Sequence, residues 1–143
     1  MMRQPVLGTS LALLALLAAG CAEELGPEVM PTAEVRGTVA FRGAPVGTGF
    51  LEFAPVDGTV GLVTSARLKP DGTFHARKVP LGTVGIRLVG ARLPETGRPD
   101  LNRALFLLTQ AHLIHRRIDP AGTGRLNIDL GVEAARIAGQ SAR

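Results

Sequence analysis

Residues 62–77, Leu62-Val63-Thr64-Ser65-Ala66-Arg67-Leu68-Lys69-Pro70-Asp71-Gly72-Thr73-Phe74-His75-Ala76-Arg77, set a turn between two alternating runs. Pro70 presets φ for one corner of a turn and Gly72 accepts a positive φ, so Lys69 to Gly72 is the strongest turn signal in the chain. Before it, Leu62, Ala66 and Leu68 are expected to point inward; after it, Phe74 and Ala76 do so, with His75 and Arg77 on the opposite face. Period two on both sides of a tight turn is the pattern of sheet with one buried face.

The pattern extends in both directions. Upstream, Val35, Val39 and Phe41 share a face with Gly37, while Glu34, Arg36 and Thr38 take the other. Arg42 to Pro45 turns the chain, Leu51 and Phe53 return inward, and Pro55 to Gly58 breaks the pairing. Downstream, Val84, Ile86 and Leu88 align within Thr83 to Ala91, and Gly85 and Gly90 point to a close neighbour or a bulge. Ile114, Arg116 and Ile118 alternate in a sixth strand, Asp119 to Gly122 turns, and Leu126, Ile128 and Leu130 form a seventh. The stretch Leu93 to Gln110 reads two ways. Pro94, Gly97 and Pro99 mark a loop, from which Asp100 would cap a short helix aligning Leu101, Leu105 and Leu108; alternatively, Ala104 to Thr109 is extended across the sandwich edge. The expectation is all-β: a seven-stranded antiparallel β-sandwich over residues 34–131, a loop or short helix near 94–110, and a flexible Ala-rich tail over 132–143.

At the other end of the chain, Pro5 to Ala19 is uncharged and follows Arg3, the arrangement of a secretory signal, and it is shorter than the roughly 20 apolar residues of a spanning helix. It closes on Leu17-Ala18-Ala19-Gly20-Cys21, with the only cysteine of the chain in last place. These five residues resemble the lipobox of bacterial lipoproteins, with Ala18 where that box more often has Leu. The resemblance implies cleavage between Gly20 and Cys21, a diacylglyceryl thioether on Cys21 and acylation of the new amino terminus. Residues 1–20 are then a lipoprotein signal peptide. Residues 21–33, from the lipidated Cys21 through a run containing Glu23, Glu24 and Glu28, form a polar tether. Ala22 stands where an inner-membrane retention signal would place Asp, so the resemblance to other lipoproteins implies the periplasmic face of the outer membrane.

Removing residues 1–20 from the 143 leaves 123, enough for one domain. Of 16 basic residues only Arg3 is lost, leaving 15 against 12 acidic ones, a dispersed excess from which no nucleic-acid binding is inferred. With no cysteine after Cys21 an exported chain has no disulfide to lean on, so apolar packing and sheet hydrogen bonds must hold it.

Taken together, Val35-Arg36-Gly37-Thr38-Val39, Gly43-Ala44-Pro45-Val46, Leu51-Glu52-Phe53-Ala54-Pro55, Pro70-Asp71-Gly72-Thr73-Phe74 and Leu126-Asn127-Ile128-Asp129-Leu130 resemble the small carboxypeptidase-regulatory-like lipoproteins of planctomycete-type bacteria. The resemblance covers about residues 34–130 and implies a transthyretin-like, prealbumin-type sandwich. That family name refers to the non-catalytic sandwich beside some metallocarboxypeptidases, so no peptidase activity follows.

The chemistry-bearing residues point the same way. His112 and His115 are three apart, which sends them to opposite faces of a regular strand, and no His is followed three residues later by Glu; no metal or other cofactor is expected. Ser65 lacks a Gly-x-Ser-x-Gly elbow. There is no Trp or Tyr to build a sugar platform, and the first strand carries Arg36 where a self-crosslinking domain needs Lys. Phe50 is out of phase with its strand's inward set, and beside Leu113 it would mark a protein-contact patch. The function expected is structural or protein-interacting, through the membrane anchor and an envelope protein partner, without catalysis. A second expectation is capture of a small molecule or peptide by the loops Pro55 to Gly61 and Leu93 to Gln110 at one end of the sandwich.

Overall fold

A computed structural model describes residues 29–121 and 124–143. The alternation read from the sequence is realised in β1 (Thr32–Phe41), where Val35, Gly37, Val39 and Phe41 are buried and Glu34 and Arg36 are exposed. Arg42 and Gly43, with φ of 50° and 83°, form a two-residue hairpin turn into β2 (Ala44–Pro45). The pairing with β1 stops there. Pro45 has no N–H to extend the ladder, and after Val46 N–H bonds Val39 O the chain leaves for a second sheet.

That second sheet is β4-β3-β6-β7, all antiparallel, from β3 (Phe50–Pro55), β4 (Thr64–Arg67), β6 (Gly82–Val89) and β7 (Ile114–Ile118). The first sheet is centred on β1. Its partners are β2, β5 (Thr73–Pro80) and β8 (Arg125–Asp129). Both β5 and β8 pair with Arg36 to Thr38, so they lie on opposite edges of β1, and β8 runs parallel to it. The inward side chains of the two sheets meet in one core, with the rings of Phe53 and Phe74 6.0 Å apart across it.

The turn at 69–72 has the geometry its residues dictate. Gly72 has φ +79°, its N–H bonds Lys69 O at 2.8 Å, and Asp71 Oδ1 accepts from Thr73 N and Oγ1. It links β4 of one sheet to β5 of the other and so closes one side of the structure. The opposite side, between β7 and β8, is closed by helices α1 (Pro99–Gln110) and α2 (Leu130–Ser141). They pack on each other, and they bury Leu101, Ala104, Leu105 and Leu108 from α1 and Leu130, Ala134 and Ile137 from α2.

Four expectations are corrected. Among the described residues there are eight strands instead of seven, because Ala44–Pro45 pairs briefly with β1. The β1–β8 pairing is parallel, since β7 ends beside Gly82, toward the end of the domain where β1 begins, and β8 runs back from that end in the direction of β1, so the sheets are not wholly antiparallel. The strand expected from Leu62 begins at Thr64, and Leu62 is 74% exposed. The segment expected as a flexible tail is α2: Asp129 Oδ1 caps it by accepting from Gly131 N at 2.8 Å and Val132 N at 3.3 Å, and its apolar face completes the core. Of the two readings left open for 94–110, the structure has the helix, three turns long with Pro99 in its first turn, but Asp100 lies inside that turn and does not cap it; the N-cap position is Arg98, without a side-chain cap hydrogen bond.

Candidate functional site

The lipobox-like residues Gly20 and Cys21, with the rest of 1–28, lie outside the described residues. The two residues expected to form a contact patch do not share one. Phe50 is 45% exposed on the outward face of β3, as its phase requires, whereas Leu113 is partly buried against the core. Register puts Phe50 opposite Val89 and Ile86 opposite Ile114, so the strip between Phe50 and Leu113 is occupied by Arg87 and its partners.

Those partners make the densest polar cluster on this face. Glu52 Oε1 accepts from Arg87 Nε at 2.8 Å and from His112 Nε2 at 2.9 Å, all three groups being half-buried. Gly85 makes the arrangement possible: a Cβ there would lie 2.8 Å from His112 Cβ, so the bare backbone admits the 111–113 segment over the sheet. His112 precedes β7, and strand alternation therefore does not separate it from His115, whose Nε2 donates to His112 O at 3.1 Å. The opposite-face expectation for the two histidines fails for that reason. Among the described residues, no three His, Cys, Asp or Glu side chains are grouped to hold a metal ion.

The Arg87 hydrogen bond, opposed by burial and aided by His112, holds Glu52 below its ordinary value of 4.5. A carboxylate so paired keeps its charge and is a latch between β3, β6 and the 111–113 turn rather than a proton donor. Because its folded pKa is lowered, its contribution is full above about pH 4.5 and is lost as pH falls through the folded value. Wild type should therefore exceed Glu52→Gln in the unfolding free energy from urea titration at pH 6 by at most about 1 kcal/mol, with the gap closing toward pH 3. A gap that widened on acidification would show the pairing to be misassigned.

The outer face of the first sheet gathers part of the basic excess that looks dispersed in sequence. A cleft of about 590 Å³ is lined by Arg36, Lys69, His75 and Arg125, with Glu34 Oε2 3.0 Å from His75 and 3.7 Å from Arg36. It is broad and open, and these residues come from β1, β5, β8 and the 69–72 turn, which meet through the β5-β1-β8 pairing.

The loops expected to form one binding end lie at opposite ends of the second sheet. Val56 N–H bonds Thr83 O beside the start of β6, while Arg92 N–H bonds Thr48 Oγ1 beyond its end. Eight residues of strand, roughly 25 Å, separate them. Only the last turn of α1 brings the second segment back toward the first. A cleft of about 370 Å³ lies between 91–95 and α1, and a separate one of about 490 Å³ is lined by Val29 to Pro31, Asp57 to Val60 and Arg117. Exposed Val60 lines the second of these, and Leu62 and Val63 are exposed further along the same loop; Leu62 is not inward because the strand phase begins only at Thr64.

Comparison with known protein families, with curated proteins and with solved structures gives no match. No helix among the described residues is long and apolar enough to cross a membrane.

Proposed function

We propose that this chain is an exported, lipid-anchored protein whose β-domain has a structural or protein-interaction role in the bacterial envelope, without catalysis. The observation that carries the reading is Leu17-Ala18-Ala19-Gly20-Cys21 at the close of an uncharged run, with β1 starting at Thr32, eleven residues beyond the cysteine. A short tether between a lipidated cysteine and a folded domain is how such a protein is held at a bilayer; a single acyl chain binds only marginally and stable anchoring needs more than one. The two-sheet core is compatible with the prealbumin-like sandwich of carboxypeptidase-regulatory-like lipoproteins, and the helical closure by α1 and α2 is an addition to the seven strands expected of it. Ala22 supports placement on the periplasmic face of the outer membrane.

Fractionation of cells expressing wild type and Cys21→Ala tests the anchor. Wild type should sediment with membranes and have an intact mass lacking residues 1–20 and gaining acyl groups; Cys21→Ala should lose both properties. A membrane fraction unchanged in Cys21→Ala would overturn the reading.

A further inference from the structure

We propose that the end of the domain formed by Val60, Leu62 and Val63 sits on the lipid surface, so that the loop between β3 and β4 is a bilayer-contacting tip. The inference rests on the anchor reading for its partner and goes beyond it, because an anchor alone leaves the domain's orientation open.

Four apolar side chains are exposed at this end: Val29 at 91%, Val60 at 72%, Leu62 at 74% and Val63 at 56%. They come from two stretches distant in sequence. Val29 to Pro31 line the same cleft as Thr59 and Val60, and Leu81 N–H bonds Pro31 O at 3.2 Å, so the chain enters the domain beside the tip. The loop is held in place. Val56 N–H bonds Thr83 O, Thr59 N–H bonds Val56 O, Thr59 packs on Gly82, and Gly61 lies so close to the Pro80 ring that a Cβ would meet it at 2.5 Å. A constrained turn that presents Val and Leu to solvent has already met the ordering cost of inserting them elsewhere. Arg77 and Lys78 are exposed at the same end of β5, which suits a rim at phosphate headgroups, while Arg117, which lines the cleft, is paired with Asp119.

Tether length selects the occupant. From Cys21 to Val29 there are eight residue steps, at most about 28 Å when fully extended. A domain of this size is roughly 30 Å or more across. A chain that short, entering beside the loop, keeps this end nearest the lipid and holds Phe106 and the 91–95 loop on the far side. Apolar side chains at the near end are then within reach of the headgroup and upper acyl region, where amphipathic surfaces bind by burying apolar area.

The test uses the mature lipidated chain reconstituted into phosphatidylcholine vesicles, with a thiol-reactive environment-sensitive fluorophore on Leu62→Cys or, as the distant control, Phe106→Cys. Wild type treated with the same reagent reports on the anchor separately, because a lipidated Cys21 is a thioether and takes up no label. The expected result is a blue-shifted label at 62 that loses most of its emission when the vesicles contain brominated acyl chains, with no loss at 106. Equal, water-like emission from both positions would overturn the proposal. So would a label at 62 that is shielded from aqueous iodide but untouched by brominated lipid, which would assign the tip to the tether or to a second copy. Label uptake by Cys21 in wild type would sink the anchor while leaving quenching at 62, on added vesicles, as an independent result that stands or falls alone.

Discussion

Alanine at Gly37 is expected to destabilise the domain by about 3 kcal/mol, whereas alanine at Gly139 should stabilise it by about 0.5 to 1 kcal/mol, in urea titrations of the two variants. Gly37 faces inward on β1, and a Cβ built there runs into the carbonyl group of Leu126 on the parallel strand β8. The obstacle is backbone, held by register from Arg36↔Arg125 to Ala40↔Asp129, so relief requires the strands to part instead of a rotamer change. Opening that ladder also loosens α2, which continues directly from β8. Gly139 sits exposed in α2 with no atom within 4 Å of its would-be Cβ, and there the added methyl only reduces the freedom of the unfolded chain. A loss below about 1 kcal/mol at Gly37 would mean that β8 is not packed against β1 as described.

The same glycine shows what was legible in the sequence and what was not. Alternation around Val35, Val39 and Phe41, around Leu51 and Phe53, and around Val84, Ile86 and Leu88 is local, and each of these side chains is buried. The turn at Pro70-Asp71-Gly72 was legible for the same reason, since its hydrogen bonds close within five residues. Pairing is long-range. Nothing in Gly37 or Leu126 announces that their strands run parallel, and nothing in Phe50 announces that Val89 and Arg87, instead of Leu113, flank it. Leu62 is different: alternation continued back through Val63 and Thr64 runs into a loop constrained by Gly58, Gly61 and Pro80. The polar cluster of Glu52, Arg87 and His112 was not legible, because it joins residues 60 apart through the bare backbone of Gly85; a glycine inside a strand was the one available sign. Helix α2 was more accessible than the tail reading allowed. Asp129 before Leu130, and apolar residues at 130, 134 and 137, are a cap and a face, but Gly131 and Gly139 interrupt the run and the buried area per residue is small.

Removing the carboxylate of Glu133 should cost about 3 kcal/mol, which would make α2 a structural part of the fold and not an appendage. Among the described residues Glu133 is the one charged side chain that is buried, and it lies between two guanidinium groups. Its Oε1 accepts from Arg116 Nη2 at 2.5 Å and its Oε2 lies 3.1 Å from Arg136 Nη2. Arg116 occupies an inward position on β7 between Ile114 and Ile118, so the strand phase aims a cation at the core and α2 supplies the counter-charge. Arg136 Nη2 also donates to Leu113 O at 2.8 Å and Arg116 Nη1 to His115 O at 2.8 Å, which fastens the helix to the start of β7. Glu133→Ala leaves the half-buried Arg116 guanidinium without its counter-charge, with His115 O as its remaining partner. Arg136 is 43% exposed along its side chain and can turn to water, which keeps the loss at the lower end for a buried pair. Replacing both partners, Arg116→Met with Glu133→Leu, removes the stranded charge and should return stability to within about 1 kcal/mol of wild type, so the double-mutant cycle would show strong coupling. Additive losses in that cycle, or a Glu133→Ala variant as stable as wild type, would mean that the ion pair does not hold α2 against the sheet.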